Sequence, residues 1–315
     1  MFKMANPNSK DIVFLFGAGA SYGAGGVLPE QPPLGCQLYS ILERIYPGSW
    51  GGLPVEIREV FKSDFEHGMQ LVHDRVGGAI PSLMREMAVY FVQFRPHDRA
   101  TLYCRLIEDL HKNGLLERVL FSTLNYECLL EFSLLHHGHG IAYFDEGTGN
   151  QVPVWKLHGS CNIFSHGVQA GPGIAYGTGV VWEGGIEAFL DSNLVIQRCL
   201  VETALAPVMC LYMHGKPLSV SPAAIHGQQK AWAERVDAAS VVVSIGVRPL
   251  TGDDHIWKPL ASTSAQLYFI GDSTVLDQWS KPNRTGATEH LLPLITKRRF
   301  QDTQPAQTGT VEAPR

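Results

Sequence analysis

Five short apolar segments of the chain each end abruptly in glycine or small polar residues, and this pattern constrains the fold most. They are IVFLF before GAGAS (12–21), RVLFST before LNYE (118–127), VPVWKLHGS (152–160), SVVVSIG before VRP (240–249) and AQLYFIGDS (265–273). Segments with helical periodicity separate them, and strands that alternate with helices predict parallel βαβ units. We therefore predict an α/β fold with a doubly wound, mostly parallel, Rossmann-like sheet, in which AQLYFIGDS is the final strand.

Other segments interrupt or follow this alternation. Residues 36–98 have helical periodicity broken by Gly- and Pro-rich stretches, which predicts a helical insertion module. Residues 162–192 are rich in glycine and weakly patterned, which predicts a loop or lid. The Rossmann-like core is then discontinuous, over 11–35 and 99–275. The polar tail, 301–315, is predicted to be disordered.

Composition excludes several functional classes. The net charge is −5 and no long basic run occurs, so direct nucleic-acid binding is not indicated. No apolar leader and no stretch of about 18 apolar residues is present, which predicts a cytoplasmic protein without membrane attachment. The six cysteines include no CxxC pair, so we expect neither a zinc ribbon nor a disulfide framework, and no metal.

The GAGAS segment has two interpretations. Ligands of open parallel sheets bind beyond the carboxyl ends of the strands, where glycines let the backbone approach a phosphate. Gly17 and Gly19 fit that use, but Tyr22 stands where the third glycine of GxGxxG would be. A tight connection between strand and helix explains the same residues. The motif alone does not decide between the two.

Two further strand ends carry candidate catalytic residues. Asn125 follows RVLFST, where Asn, Ser and Thr are also common helix caps. His158 follows VPVWKL, where a histidine is either a hydrogen-bonded structural residue or a base that works near neutral pH.

In this order, GAGAS, TLNYE and LHGS resemble the NAD⁺-binding motifs of the sirtuin family, over roughly residues 11–30 and 99–275. The segment VVVSIGVRPLTGDDHIWKPL is similar to the loop that holds the far half of NAD⁺ in that family. The resemblance implies that Asn125 lies beside the nicotinamide ribose and that His158 contacts a ribose hydroxyl and acts as general base. The resemblance also assigns residues to NAD⁺ binding. At the pyrophosphate they are Gly17, Ala18, Gly19 and Ser21. On the adenosine side they are Ser244, Gly246 and Asp272. Thr123 is a further NAD⁺-binding residue.

Three departures from the family pattern decide which branch the chain resembles. The paired CxxC zinc ribbon of the family is missing. GGVLPEQPPLG (25–35) stands in place of the Gly-Ile-Pro-Asp-Phe-Arg stretch, and Glu127 replaces the aspartate of the family's Thr-x-Asn-x-Asp motif. The first two belong to the acyl-peptide side of the deacylases. The remainder is similar to the branch found in bacterial anti-phage defence, whose members destroy NAD⁺.

The resemblance therefore implies an NAD⁺ hydrolase that releases nicotinamide and ADP-ribose, with NAD⁺ as substrate and no zinc. Because constant NAD⁺ consumption would harm the host, we expect a homo-oligomer, a co-encoded regulatory partner, or both. Three alternatives stay open: an NAD-dependent deacylase or ADP-ribosyltransferase, a non-catalytic NAD⁺ or nucleotide sensor within a larger assembly, and a doubly wound domain whose glycine turns are structural.

Overall fold

The fold is built on a seven-stranded parallel sheet, seen in a computed structural model that describes residues 10–166, 180–201, 205–249 and 252–291. The strands are β1 (Ile12–Phe16), β2 (Val27–Leu28), β3 (Arg95–Pro96), β4 (Val119–Thr123), β5 (Gly140–Ala142), β6 (Gln151–Lys156), β7 (Ile163–His166), β8 (Gly185–Ala188), β9 (Val241–Ile245), β10 (Gln266–Ile270) and β11 (Thr288–His290). The strand order in the main sheet is β11-β10-β9-β1-β4-β6-β5. β2 pairs with β3, and β7 pairs with β8, in two separate two-stranded antiparallel sheets.

Helices cover both faces of this sheet. They are α1 (Ala18–Tyr22), α2 (Gly35–Ile45), α3 (Val55–Phe61), α4 (Phe65–Val76), α5 (Ile80–Phe91), α6 (Leu102–Lys112), α7 (Leu129–His136), α8 (Ser192–Val201), α9 (Pro222–Ala238), α10 (Asp254–Ser262) and α11 (Ser273–Asn283). Within the described ranges, no helix is both long and apolar enough to cross a membrane.

The strand order confirms the predicted doubly wound α/β fold. From β1 the chain moves to β4 and then to β5 and β6 on one side, and it returns to place β9 on the other side of β1. The order therefore reverses between β1 and β9. In open parallel sheets the crevice at such a reversal, beyond the carboxyl ends of the strands, is the usual ligand site.

Both faces of the sheet are apolar because alternate residues of each strand enter different cores. Phe14, Phe16 and Phe121 pack in one core with helices α2–α8. Val13 and Leu15 pack in the other with helices α9–α11. The helices of the 36–98 segment thus share a continuous core with the sheet, and this packing fixes the strand ends from one side.

Several elements differ from the expectations. AQLYFIGDS is not the final strand, since β11 follows it and pairs with β10. β5 and β11 have three residues each, too few to show an alternating pattern, and both lie at sheet edges. The 162–192 segment contains the hairpin of β7 and β8, whereas residues 167–179 and the tail 301–315 of the predicted lid and disordered end lie outside the described residues.

Candidate active site

The strands on either side of the switch point, the place between β1 and β9 where the strand order reverses, end at one level of the sheet. The register pairs that show this are Phe16 with Thr123, Thr123 with Lys156, Phe16 with Ile245, and Ile245 with Ile270. Asn125 and His158 each lie two residues beyond a member of the Thr123–Lys156 pair. The fold therefore brings the two predicted catalytic residues to equivalent positions at the ends of adjacent strands.

The glycines of GAGAS pack against Gly246 just beyond the carboxyl ends of the adjacent parallel strands β1 and β9. Gly17 N–H donates to Ile245 O at 3.0 Å, and Gly19 N–H donates to Gly246 O at 3.0 Å. A Cβ atom on Gly17 would lie 2.6 Å from Gly246 O. The amides of Gly17 and Gly19, two of the four residues expected to cradle a pyrophosphate, are thus already used within the protein. The Ala18 N–H has no acceptor among the described residues.

A substitution at Gly246 tests this close contact between backbone segments directly. It has φ of +64°, and a Cβ atom there would lie 2.1 Å from Ala20 N. We expect Gly246→Ala to lower the free energy of unfolding by about 1–2 kcal/mol for the left-handed backbone and by a further ~1–3 kcal/mol for the overpacking. Gly114→Ala is the matched control, because Gly114 has φ of +65° and open space around its Cβ position. If denaturant titrations showed the same loss of unfolding free energy in both variants, close packing around Gly246 would be contradicted.

Asn125 is held by its amide nitrogen. Nδ2 donates to Gly17 O at 3.0 Å and to Ser21 Oγ at 2.9 Å. Because Gly17 O can only accept, the orientation of the amide is fixed, and no donor among the described residues reaches Oδ1. Asn125 does not cap a helix, since α7 begins at Leu129 after the N-cap Cys128. The side chain is thus held in one orientation, and its Oδ1 is left without a hydrogen-bond donor among the described residues.

Ser21 lies in the buried network that holds Asn125. Its side chain is 1% exposed, and Oγ contacts Glu127 Oε1 at 2.5 Å and Tyr103 Oη at 2.9 Å. Burial and the nearby Glu127 raise the pKa of Tyr103, so the phenol keeps its proton. Glu127 Oε2 accepts the N–H of Leu129 at 2.6 Å. The Ser21 hydroxyl therefore helps to orient Asn125, and a contact of Ser21 with a pyrophosphate stays a prediction.

Thr123, Ser244 and Asp272 also have positions that local structure explains. Thr123 Oγ1 accepts the N–H of Asn125 at 3.0 Å. Asp272 caps α11 by accepting the N–H of Thr274 at 2.8 Å. Ser244 is fully buried, and its register partners belong to the apolar core beneath the sheet. The Ser244 side chain thus lies on the same side of the sheet as this core, and its contact with the adenosine half of NAD⁺ stays a prediction.

His158 is buried beside a second histidine. Its side chain is 3% exposed, and its Nε2 lies 2.9 Å from His255 Nε2 and 3.9 Å from Asp253 Oδ1. Its carbonyl accepts the N–H of Cys210 at 2.8 Å, which fixes the loop. Burial, with His255 and Lys216 nearby, lowers the pKa of His158 well below its ordinary value. The imidazole is therefore neutral at pH 7.

The sequence interpretation missed three residues around His158. Asp253 and His255 occur in GDDHIW, where an acidic pair before a short helix reads as an ordinary helix start. Lys216 is buried, has φ of +45°, and forms an ion pair with Glu66 of α4. Nothing in its sequence neighbourhood predicts this position. The three converge on His158 only through the tertiary fold.

A buried ion pair supports the loops that carry Asn125 and His158. Lys156 Nζ lies 3.0 Å from Glu131 Oε1, and both side chains are buried. Nζ also donates to Glu127 O at 2.6 Å. Although burial opposes its charge, the Glu131 carboxylate raises the pKa of Lys156. This contact joins the end of β6 to the segment between β4 and α7.

An apolar cavity of about 200 Å³ lies between α4, α5 and the 205–220 segment. Met209 and Leu211 line it, and they flank the Cys210 that binds the carbonyl of His158. None of the predicted catalytic or NAD⁺-binding residues lines this cavity. It is a neighbour of the His158 loop and not a part of the crevice between β1 and β9.

Comparison of the sequence with models of known protein families, and with curated proteins, finds no match. The resemblance to the sirtuin family therefore stays a prediction that rests on the motifs themselves.

Proposed function

We propose that the protein is an NAD⁺ hydrolase that cleaves the bond between nicotinamide and ribose. The observation that carries the proposal is the placement of Asn125 and His158 at the same level of adjacent strands, beside the crevice at the switch point. Crevices of this kind bind dinucleotides in doubly wound folds. An unpaired amide oxygen and a neutral imidazole at its edge are suited to cleavage of the cofactor itself.

The crevice can accept the phosphates of NAD⁺ through backbone and a surface cation. Gly17, Gly19 and Gly246 carry no side chains at its floor, and the Ala18 N–H has no acceptor among the described residues. Arg248 is exposed two residues after Gly246 and forms no ion pair within the described chain. A guanidinium at this position favours bidentate contact with a phosphate.

In the proposed reaction, the C1′–nitrogen bond breaks and its electron pair leaves with nicotinamide. The ribose then has oxocarbenium character, and the dipole of the Asn125 side-chain oxygen stabilises its positive charge. Water adds to C1′ and gives one proton to His158, which releases it to solvent. The products are nicotinamide, ADP-ribose and H⁺. In the tautomer that donates Nε2–H to His255, the Nδ1 lone pair of His158 is the proton acceptor.

The proposal is tested by incubating the purified protein with NAD⁺ and measuring nicotinamide. We expect release by the parent and about 100-fold less, or lower still, by His158→Ala, the usual scale for loss of one positioned group. His97→Ala is the control, since this histidine is exposed and lies outside the seven-stranded sheet. An unchanged rate in His158→Ala would contradict the assignment of the base.

The proposed biological role follows from the same resemblance. We propose that NAD⁺ depletion serves bacterial anti-phage defence, and that assembly into a homo-oligomer or a co-encoded partner restrains the activity. Adding the proteins encoded beside it to the nicotinamide assay tests this part separately.

A further inference from the structure

We propose that His158, Asp253 and His255 form a binding site for one divalent transition-metal ion. The three side chains come from two segments, the loop after β6 and the start of α10, that the fold brings together at the edge of the sheet.

The positions of the donor atoms suit a common metal ion. One ring nitrogen from each of His158 and His255 and one Asp253 oxygen all lie within 4.8 Å of one another. The two nitrogens are 2.9 Å apart, and Asp253 Oδ1 is 3.9 Å from His158 Nε2. Ligands at about 2.0–2.2 Å from one metal ion lie roughly 3–4 Å from one another. Small side-chain rotations are therefore enough to close the site.

Asp253 supplies an independent sign of a ligand. It occupies the N-cap position of α10, yet its side chain makes no capping hydrogen bond. An aspartate at this position ordinarily accepts a backbone N–H of the first turn. Here the carboxyl group is 4% exposed, and Oδ1 has no hydrogen-bond donor among the described residues. A buried carboxylate oxygen without a donor is costly unless something else satisfies it.

The ligand set selects the class of metal. Two imidazoles with one carboxylate bind Zn²⁺, Co²⁺ or Fe²⁺, whereas Mg²⁺ and Ca²⁺ prefer oxygen ligands. The nearby Lys216 ammonium is paired with Glu66, which offsets its repulsion of a cation. The expectation of no metal rested on the spacing of the cysteines, and this site uses none of them.

One consequence rests on the proposed function. A metal ion on Nε2 of a neutral His158 leaves the remaining ring proton on Nδ1. That nitrogen then has no lone pair to accept a proton from water. Metal binding should therefore inhibit NAD⁺ hydrolysis reversibly, with recovery on addition of a chelator.

The test is titration of the chelator-treated full chain with Co²⁺, followed by visible absorption and calorimetry. We expect one ion per chain, without the near-ultraviolet charge-transfer band of a thiolate ligand. We expect Asp253→Asn and His255→Ala each to weaken binding by at least about 10- to 100-fold, the loss that even outer-shell changes cause. The controls Asp254→Asn and His97→Ala should bind Co²⁺ as the parent does. Asp254 is the adjacent exposed carboxylate, paired with Lys258.

Thermal unfolding of each variant without metal shows whether it is folded. No Co²⁺ binding by the parent, a thiolate band, or equal weakening in the controls would overturn the inference. Co²⁺ binding without NAD⁺ hydrolysis by the metal-free protein would contradict the proposed function but not the metal site. Hydrolysis that Co²⁺ leaves unaffected, with the ion bound, would overturn the inhibitory role.

Discussion

Asn125→Ala is expected to lower the rate of nicotinamide release by about 100-fold or more. The substitution removes the one polar oxygen that the network of Gly17 and Ser21 holds in a fixed direction. The charge on the ribose develops only as the bond breaks, so the loss should fall on kcat more than on KM. The measurement is a steady-state rate series with NAD⁺.

Two comparisons separate chemistry from folding in this prediction. Asn113→Ala alters an exposed asparagine at the end of α6, and it should hydrolyse NAD⁺ at the parent rate. A thermal unfolding curve of Asn125→Ala should still show a cooperative transition. If folded Asn125→Ala kept the parent kcat, Asn125 would have no part in the reaction.

Lys156→Met is expected to lower the free energy of unfolding by about 3–5 kcal/mol. It leaves Glu131 buried without its counter-ion and also removes the hydrogen bond to Glu127 O. No described residue donates a hydrogen bond to the Glu131 carboxylate, so the lysine is its main compensation. Denaturant titration of parent and variant gives the difference.

A second substitution identifies the cause. Lys156→Met combined with Glu131→Leu should recover much of the lost stability, because an apolar pair of similar volume replaces a buried ion pair at little cost. Lys112→Met, which breaks an exposed pair with Glu108, should change stability very little. If the double variant were less stable than Lys156→Met, the unpaired carboxylate would not be the source of the loss.

The sheet could be predicted because its strands carry strong local signals. IVFLF and SVVVSIG are rich in β-branched or aromatic residues, and a glycine follows IVFLF and ends SVVVSIG. β11 could not be predicted, since Thr288–His290 is a short polar strand whose place depends on pairing with β10. The hairpin of β7 and β8 is similarly weak in sequence and forms through contacts with the 205–220 segment.

The candidate site was predictable only in part, for physical reasons. Parallel strands carry their carboxyl ends to one edge, so the neighbourhood of Asn125 and His158 follows from the fold class. The packing of Gly17 and Gly19 against Gly246 could not be predicted, because it is a contact between segments far apart in sequence. The approach of His255 to His158 depends on such a contact as well, and local patterns carry no sign of either.

The most direct test of the proposed hydrolysis is the reaction of the purified protein with NAD⁺ in ¹⁸O-labelled water. We expect nicotinamide and ADP-ribose in equal amounts, with one labelled oxygen in each ADP-ribose and no need for an acylated or protein acceptor. NAD⁺ that binds but stays intact would contradict the proposed hydrolysis and favour a sensor. Nicotinamide release that requires an acceptor would also contradict it and favour a deacylase or a transferase.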